Sequence, residues 1–245
     1  MCYHTNVSPK KLELEQRFLP DLLDLPDWEP VFHASAFSLP QLPVLWKKDG
    51  QTRLEKFHWG LIPFWAKDEK TAAEMRLKTF NARSETIAEK PSFRSSIRSK
   101  RCLVPFSGFY EWHSKGSKKF PYFIHLKEEK IGAFAGIYDD WTNQSTGEVF
   151  QTFSIVTTAA NPLMEHIHNS KKRMPVILDK TVEKLWIEED LPLSQVLELT
   201  TSFPEEGMDA WTISKRITSR TEPSNVPAII QKVEYPDLSE QGSLF

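Results

Sequence analysis

CLVPF at residues 102–106 begins a series of four strand-like runs that decide the fold; PYFIHL at 121–126, AFAGIY at 133–138 and FQTFSIVT at 150–157 follow. The runs are rich in aromatic and β-branched residues, and a turn-rich loop separates the last two. A short helix is predicted after them, from Asn161-Pro162 to Ile167, because Pro suits the first helical position. No strand–helix–strand rhythm joins the runs, so the pattern favours an α+β fold.

The domain organisation follows from what the 245 residues lack. No internal repeat and no low-complexity linker divides the chain, which favours one domain over residues 1–235. Within it, Ser8-Pro9 predicts the start of a helix that continues to Leu19. The Pro-rich residues 20–45 predict irregular structure with a short strand. The composition turns polar after residue 235, so residues 236–245 are predicted to form a tail.

Composition excludes several classes of protein. The 40% hydrophobic and 26% charged residues are ordinary for a soluble globular chain and unlike a disordered one. Two cysteines cannot by themselves build a disulfide framework or a structural zinc site. Neither a secretory signal nor an apolar run of the ~20 residues that a membrane span needs is found. We therefore expect a cytoplasmic location and no membrane partner.

The net charge of −2 conceals two oppositely charged segments. Residues 92–119 contain seven Lys or Arg and one acid, whereas residues 183–209 contain eight acids and one lysine. This asymmetry fits a surface that faces a polyanion, and it fits two solvated faces equally well.

Cys2 is the first candidate for chemistry. Removal of Met1 would leave an α-amine and a thiol on adjacent carbons, with reference pKa values of about 7.7–8.0 and about 8.5. Both groups are then partly nucleophilic near neutrality. An aldehyde can form a Schiff base with the amine, and the thiol can add to the imine and close a thiazolidine ring. The alternative is that the second residue is arbitrary.

Three other patterns could carry chemistry. Glu111 lies between two aromatic residues after an apolar run, a position that favours a raised pKa and a role as an acid/base group. The alternative is that it is a partly exposed glutamate at the end of a strand. His166 and His168 have no third ligand nearby, so a proton shuttle is a better interpretation than a metal site. Asn81 and Arg83, two apart in a turn, could hold a phosphate or a sugar oxygen.

Several tryptophans lie beside turns or glycine, among them Trp59, Trp65 and Trp112. Next to Lys and Arg, such rings form a platform for unstacked bases, each worth ~1–3 kcal/mol. The alternative is that they fill the core, which we expect of Trp186 and Trp211.

Together these and other motifs occur in one order along the chain: Cys2, WGLIP at 59–63, NARSET at 81–86, RCLVP at 101–105, GFYEW at 108–112, PY at 121–122, FAG at 134–136, and IH at 167–168 with RMP at 173–175. The set closely resembles the SOS-response-associated peptidase (SRAP) family over roughly residues 2–220. The resemblance implies a compact α+β domain around a curved, barrel-like antiparallel sheet with a basic groove. It also implies that abasic sites in single-stranded DNA are shielded by covalent crosslinking.

The resemblance assigns catalytic roles to four residues. Cys2, exposed by loss of Met1, matches the nucleophile, and the ring-opened abasic sugar supplies the aldehyde. Glu111 matches the acid/base glutamate that assists Met1 removal and proton transfer. Asn81 matches the asparagine that orients Cys2 and the sugar, and His168 the histidine that protonates the sugar oxygen.

The resemblance also implies a DNA-binding set, with no metal and no cofactor. Arg83 matches a phosphate-contacting arginine, and Trp59 or Trp65, with Trp112, matches the stacking aromatics. Three further residues complete the set: Arg94, Arg173 and His4.

The chain departs from the family pattern at two places. It begins MCYHT where members often begin MCGRF, so His4 replaces an arginine and its DNA contact is lost or made pH-dependent. Residues 169–172 separate His168 from the RMP motif, and two lysines among them extend the basic surface.

The chain ends QGSLF. This resembles the short peptide with which bacterial DNA-repair proteins dock on the sliding clamp. Leu244 and Phe245 would fill an apolar pocket while Gln241 bonds to its rim. The alternative is an arbitrary disordered end.

The sequence thus predicts a cytoplasmic, nucleoid-associated abasic-site sensor with peptidase-type Met1 removal and Schiff-base lyase chemistry as related activities. One alternative is an N-terminal-nucleophile peptidase or amidohydrolase in which Cys2 attacks a carbonyl. The other is a non-covalent reader of modified or single-stranded DNA.

Overall fold

A computed structural model describes residues 2–239. Within this range the strands are β1 (His4–Val7), β2 (Leu22–Asp24), β3 (Val31–Ser35), β4 (Gln41–Lys48), β5 (Gln51–Trp59), β6 (Asn81–Arg83), β7 (Arg101–Phe106), β8 (Gly108–Lys115), β9 (Lys118–Leu126), β10 (Gly132–Thr142), β11 (Val149–Ala159), β12 (Arg173–Pro175), β13 (Ile177–Leu178) and β14 (Met208–Thr212). The α-helices are α1 (Lys11–Phe18), α2 (Glu69–Arg76), α3 (Ser96–Ser99), α4 (Pro162–Ile167), α5 (Lys180–Trp186), α6 (Leu193–Glu198) and α7 (Pro236–Ser239). Short 3-10 helices cover Ala36–Ser38, Ser84–Thr86, Glu205–Gly207, Lys215–Thr218 and Pro227–Ile230. Among residues 2–239, none of the helices is both long and apolar enough to cross a membrane.

Five strands close into a barrel. β11, β10, β7, β4 and β5 follow one another through antiparallel pairings. β5 then returns to β11 in parallel, with His58 opposite Thr152 and Trp59 opposite Phe153. Closure leaves these five strands without a free edge along the ring. The predicted α+β class and curved, mainly antiparallel sheet are therefore confirmed.

The barrel separates two apolar layers because side chains alternate along each strand. The rings of Trp46 on β4 and Tyr138 on β10 lie 5.2 Å apart, although β7 separates the two strands. They therefore fill the barrel interior, where Phe57 contacts both. Leu45, next to Trp46, points the other way and belongs to an outer core with Trp186 of α5. The expectation that Trp186 is a core residue is confirmed.

A second sheet carries the N-terminal strand, with the order β14-β9-β8-β1-β3. A single residue, Ser107, separates β7 in the barrel from β8 in this sheet. β1 lies between β8 and β3, with Thr5 opposite Phe109 on one side and Ala34 on the other. Continuing the β1–β8 register by two residues brings the N-terminal end of the chain to Glu111.

The beginning of the predicted tail is packed on the domain. Residues 236–239 form α7, and the Asp237 carboxylate accepts hydrogen bonds from Lys118 Nζ at 2.9 Å. The boundary at residue 235 stays a prediction. Gln241, Leu244 and Phe245 lie outside the described residues.

Candidate active site

The ends of β1, β8 and α4 meet around a cleft of about 290 Å³. Two predicted catalytic residues, Glu111 and His168, line it together with two predicted DNA-binding residues, His4 and Trp112. Lys119 adds a positive charge to its wall. Residues from three distant parts of the sequence therefore share one concave surface.

The burial and the neighbours of Glu111 suit an acid/base group. It is 5% exposed, and its Oε1 lies 3.7 Å from Nδ1 of His168. Burial raises the pKa of Glu111 to about 7. Both its protonated and ionised forms are therefore populated near neutral pH, the condition under which one carboxyl can give and take protons in turn.

His168 is held by the end of α4 in one protonation state. Asn161 begins that helix as predicted, since its Oδ1 accepts from the Met164 amide at 2.8 Å. Nδ1 of His168 lies 2.9 Å from the carbonyl oxygen of Arg173, which can only accept, so Nδ1 carries the proton. Burial lowers the pKa of His168 to about 4. The ring is thus neutral at pH 7 with Nε2 as an acceptor, and the role of proton donor that the resemblance implies stays a prediction.

Cys2 is a buried thiol beside this carboxyl. It has no exposed surface, and its Sγ lies 3.8 Å from the His4 carbonyl oxygen. Burial, and then the negative charge of Glu111, raise the pKa of the thiol. The chain that keeps Met1 therefore holds this thiol protonated near neutrality, and the expectation of partial ionisation, which concerns Cys2 after Met1 removal, stays a prediction. Cys2 needs a base to take its proton when it attacks, and Glu111 is a carboxyl whose charge acts on this thiol.

Asn81 lies on β6, which pairs with the barrel strand β11. β6 runs parallel to β11, with Asn81 opposite Ile155 and Arg83 opposite Thr157. Both Nδ2 and Oδ1 of Asn81 are buried and lack a hydrogen-bond partner within residues 2–239. An unsatisfied buried polar group costs about 1–3 kcal/mol, so an amide left in this state calls for an explanation. A ligand that orients against Asn81 would supply one, and Arg83 lies exposed two residues further on.

Arg173 makes contacts within the protein that no sequence motif indicated. β12 pairs with β11, and the guanidinium of Arg173 makes an ion pair with Glu85 and donates to the Thr157 carbonyl at 2.8 Å. Its terminal nitrogens are thus engaged inside the protein. Arg173 fixes the carbonyl that orients His168, and its phosphate contact stays a prediction.

The predicted stacking tryptophans differ in how deeply their side chains are buried. Trp59 has no exposed surface, donates from Nε1 to the Phe80 carbonyl at 2.9 Å and stacks on Phe153. The prediction that it contacts DNA is therefore wrong, because Trp59 is buried where β5 pairs with β11 to close the barrel. Trp65 is 41% exposed and Trp112 is half-buried at the cleft, so both remain available to a base.

Only some of the Lys and Arg residues at 92–119 present an unpaired positive charge at the protein surface. Arg101 is buried, and its guanidinium donates to backbone carbonyls, among them that of Trp186 at 2.7 Å. Lys100 pairs with Asp139 and Lys118 with Asp237. Arg94 is exposed, as a DNA contact requires. Counting charges along the chain could not distinguish these cases.

Residues that no motif indicated complete the surroundings. His33 lies 2.9 Å from His4 between ring nitrogens, and Phe37 is 61% exposed with its ring 5.1 Å from that of Tyr3. Burial, and then the charge of Glu111, raise the pKa of Tyr3. The pairing of β1 with β3 creates these contacts, and local sequence patterns carry no signal of it. No group of three His, Cys, Asp or Glu that could hold a metal ion occurs within residues 2–239.

Comparison with known proteins places this site in a family. The family model described as SOS response associated peptidase (SRAP) matches residues 1–220. The chain belongs to the SRAP family. The SRAP relatives include the abasic site processing protein YoqW of Bacillus subtilis, 40% identical over 211 residues, which is 84% of this chain and 89% of YoqW. The abasic site processing protein HMCES of Gallus gallus is 33% identical over 168 residues, 60% of this chain and 48% of HMCES.

Solved structures agree with the SRAP assignment. A crystal structure of a Bacteroides thetaiotaomicron protein superposes with a TM-score of 0.89 at 38% identity, covering 95% of this chain and all of that one. The resemblance inferred from the motifs is thereby confirmed.

Proposed function

We propose that this protein is an abasic-site sensor that binds single-stranded DNA and links itself to the lesion through Cys2 once Met1 is removed. One observation carries the proposal: Glu111, with a pKa near 7, lies beside His168 and is electrostatically coupled to the only thiol at the N-terminal end of β1. The names of the relatives, abasic site processing proteins, point to the same substrate.

The residues suit the chemistry of an aldehyde and an aminothiol. The free amine of Cys2 attacks C1′ of the ring-opened sugar, and protonated Glu111 gives its proton to the departing hydroxyl, which leaves as water. The ionised Glu111 then takes the thiol proton while the sulfur bonds to C1′. The product is a thiazolidine, one water is released, and Glu111 ends in its starting form.

Stacking and phosphate contacts would bind the DNA without reading its bases. Trp112 lines the cleft, Trp65 and Phe37 are exposed aromatic rings, and Arg83 and Arg94 are exposed cations. Such contacts bind single strands with little sequence preference. A role in the DNA damage and SOS response, at the nucleoid in the cytoplasm, belongs to this proposal. So does docking of Gln241, Leu244 and Phe245 on the sliding clamp.

A denaturing gel separates this proposal from its rivals. Protein lacking Met1 is incubated with single-stranded DNA that contains one abasic site, and the expected result is a heat-stable adduct that a Cys2→Ser variant cannot form. A non-covalent reader gives no adduct. A peptidase or amidohydrolase would instead cleave a peptide or amide substrate through Cys2 without retaining DNA. Absence of an adduct with the processed wild-type protein would contradict the proposal.

A further inference from the structure

Four polar residues of the cleft wall have no part in the bond-forming steps proposed above: Ser114, Lys119, Ser170 and Thr218. Ser114 on β8 lies directly opposite Lys119 on β9. Residues that face each other across an antiparallel pair project from the same face of the sheet. The hydroxyl of Ser114 and the ammonium of Lys119 therefore belong to one side of the wall.

The segment that separates His168 from the RMP motif supplies another part of the wall. Asn169 fastens this segment to β8, since its Oδ1 accepts from the Ser114 amide at 3.1 Å and its Nδ2 donates to the Ser114 carbonyl at 2.8 Å. Ser170 follows directly and lines the cleft. The insertion that distinguishes this chain from many members of the family is thus built into the site.

Three of the four polar side chains have donors to spare. Within residues 2–239, neither the hydroxyls of Ser114 and Ser170 nor the ammonium of Lys119 makes a hydrogen bond or an ion pair. Thr218 differs, because its hydroxyl donates to the Lys215 carbonyl at 3.1 Å. An ammonium carries three donors and a hydroxyl one, so the three groups can together surround an oxyanion.

Lys119 is the permanent cation of the cleft wall. Burial, and then the adjoining His33, lower the pKa of His4 to about 3, so His4 is neutral at pH 7. Glu111 is the one acid among the residues that line the cleft, and its pKa is about 7. Family members often have an arginine at the fourth position, whereas here the charge that can attract an anion is on Lys119.

An abasic nucleotide brings an anion to this place. Its sugar is joined to one phosphate on the 3′ side and to another on the 5′ side. A sugar whose C1′ meets Cys2 beside Glu111 therefore carries a phosphate into or next to the same cleft of about 290 Å³. Ammonium and hydroxyl donors bind such a group without reading a base.

We propose that Lys119, Ser114 and Ser170 form a phosphate subsite for the nucleotide that is crosslinked, an inference that rests on the crosslinking function proposed above. The ammonium pairs with a non-bridging oxygen of that phosphate, and the two hydroxyls donate to the same group. The subsite holds the sugar so that C1′ faces the amine of Cys2. It also makes the protein favour an abasic site in a nucleic acid over a free aldehyde.

Strands in which one phosphate is replaced by a neutral methylphosphonate test the subsite. The replacement is made on the 5′ side or on the 3′ side of the abasic nucleotide, and single-turnover crosslinking rates are measured below saturation. We expect at least one replacement to slow the wild-type protein about three- to tenfold, the effect of losing one charged contact at a partly exposed site.

Lys119→Gln should be slower by a similar factor on the unmodified strand. It should also lose its sensitivity to that replacement, because the two changes remove the same interaction. Ser170→Ala should slow crosslinking by roughly twofold, since it removes one neutral donor.

Lys118→Gln is the matched control. Lys118 precedes Lys119 in β9, so its side chain projects from the opposite face, where it pairs with Asp237. We expect wild-type rates and the wild-type response to both methylphosphonates. If neither methylphosphonate slows the wild-type protein, or if Lys119→Gln keeps the wild-type response, the phosphate subsite alone is overturned. A processed wild-type protein that forms no adduct with the unmodified strand would overturn the crosslinking function, and the subsite with it.

Discussion

Cys2 and Cys102 are both buried without exposed surface, and burial raises the thiol pKa of both. Their neighbours differ. Cys102 lies in β7 inside the barrel, where a Cβ added to Gly136 would come within 2.8 Å of its sulfur, and only burial shifts its pKa. Cys2 lies just before β1 of the second sheet, and the charge of Glu111 acts on it as well. Burial makes both thiols inert at rest, and the adjacent acid/base group gives one of them a route to react.

Substitution of each cysteine should show the largest difference between the two sites. Cys2→Ser should abolish the stable adduct, since an oxygen cannot replace the thiol in the thiazolidine. Cys102→Ala should keep crosslinking and lower the free energy of unfolding by about 1–2 kcal/mol, because it leaves a small cavity in a close-packed interior. Adduct yield on denaturing gels and urea unfolding measure the two effects. Equal loss of crosslinking in both variants would contradict the distinction.

Removing the acid/base group next to Cys2 should make the Cys2 thiol nearly as unreactive as the thiol of Cys102. Glu111→Gln keeps the size of the side chain and removes its proton transfer, so we expect the crosslinking rate to fall by about 10²–10⁴-fold. Glu89→Gln, at an exposed position, is the matched control and should crosslink normally. Single-turnover rates decide the point, and a Glu111→Gln rate within twofold of wild type would sink the assignment.

The dependence of stability on pH should reveal the same carboxyl. Burial raises the pKa of Glu111 from 4.5 to about 7. The folded state therefore keeps a proton that the unfolded chain releases, and the stability from this group is full below pH 4.5 and lost as pH rises through about 7. Relative to Glu111→Gln, wild type should lose up to roughly 3 kcal/mol between these pH values. Urea unfolding at several pH values measures the difference, and parallel curves for the two proteins would contradict the raised pKa.

A similar comparison applies to two tryptophans, the exposed Trp65 and the buried Trp59. Trp65→Ala should weaken binding of single-stranded DNA roughly tenfold with little change in stability, because an exposed ring can stack on a base. Trp59→Ala should cost about 3–5 kcal/mol of stability, because that ring is in the core. Fluorescence anisotropy with labelled DNA and thermal unfolding separate the outcomes. A Trp65→Ala variant with wild-type affinity would remove Trp65 from the DNA surface.

The sequence predicted those parts of the fold that depend on local patterns. The four apolar runs correspond to β7, β9, β10 and β11, and Asn161 does begin α4. The Pro-rich residues 20–45 concealed the start of β4, where Pro43 pairs with Lys56. α1 begins at Lys11 and not at Pro9, because Glu13 accepts from the Lys10 amide. The parallel pairing of β5 with β11, which closes the barrel, joins segments too distant for any local pattern to indicate.

The site was predictable only as a set of motifs. Resemblance to a family indicated Cys2, Asn81, Glu111 and His168. The structure brings Cys2, Glu111 and His168 together from three separate parts of the chain. It could not indicate that His168 is a neutral acceptor, since that follows from the Arg173 carbonyl. His33 was missed because its partner, His4, lies 29 residues away across a strand pairing.

The mass of the adduct tests the central claim most directly. Protein lacking Met1 is reacted with a short single strand that contains one abasic site, and the product is digested and analysed by mass spectrometry. The account predicts the summed mass of protein and DNA less one water, with the modification on the peptide that begins at Cys2 and with the Cys102 peptide unmodified. A modification on a lysine, or an adduct of the same mass formed by Cys2→Ser, would contradict it.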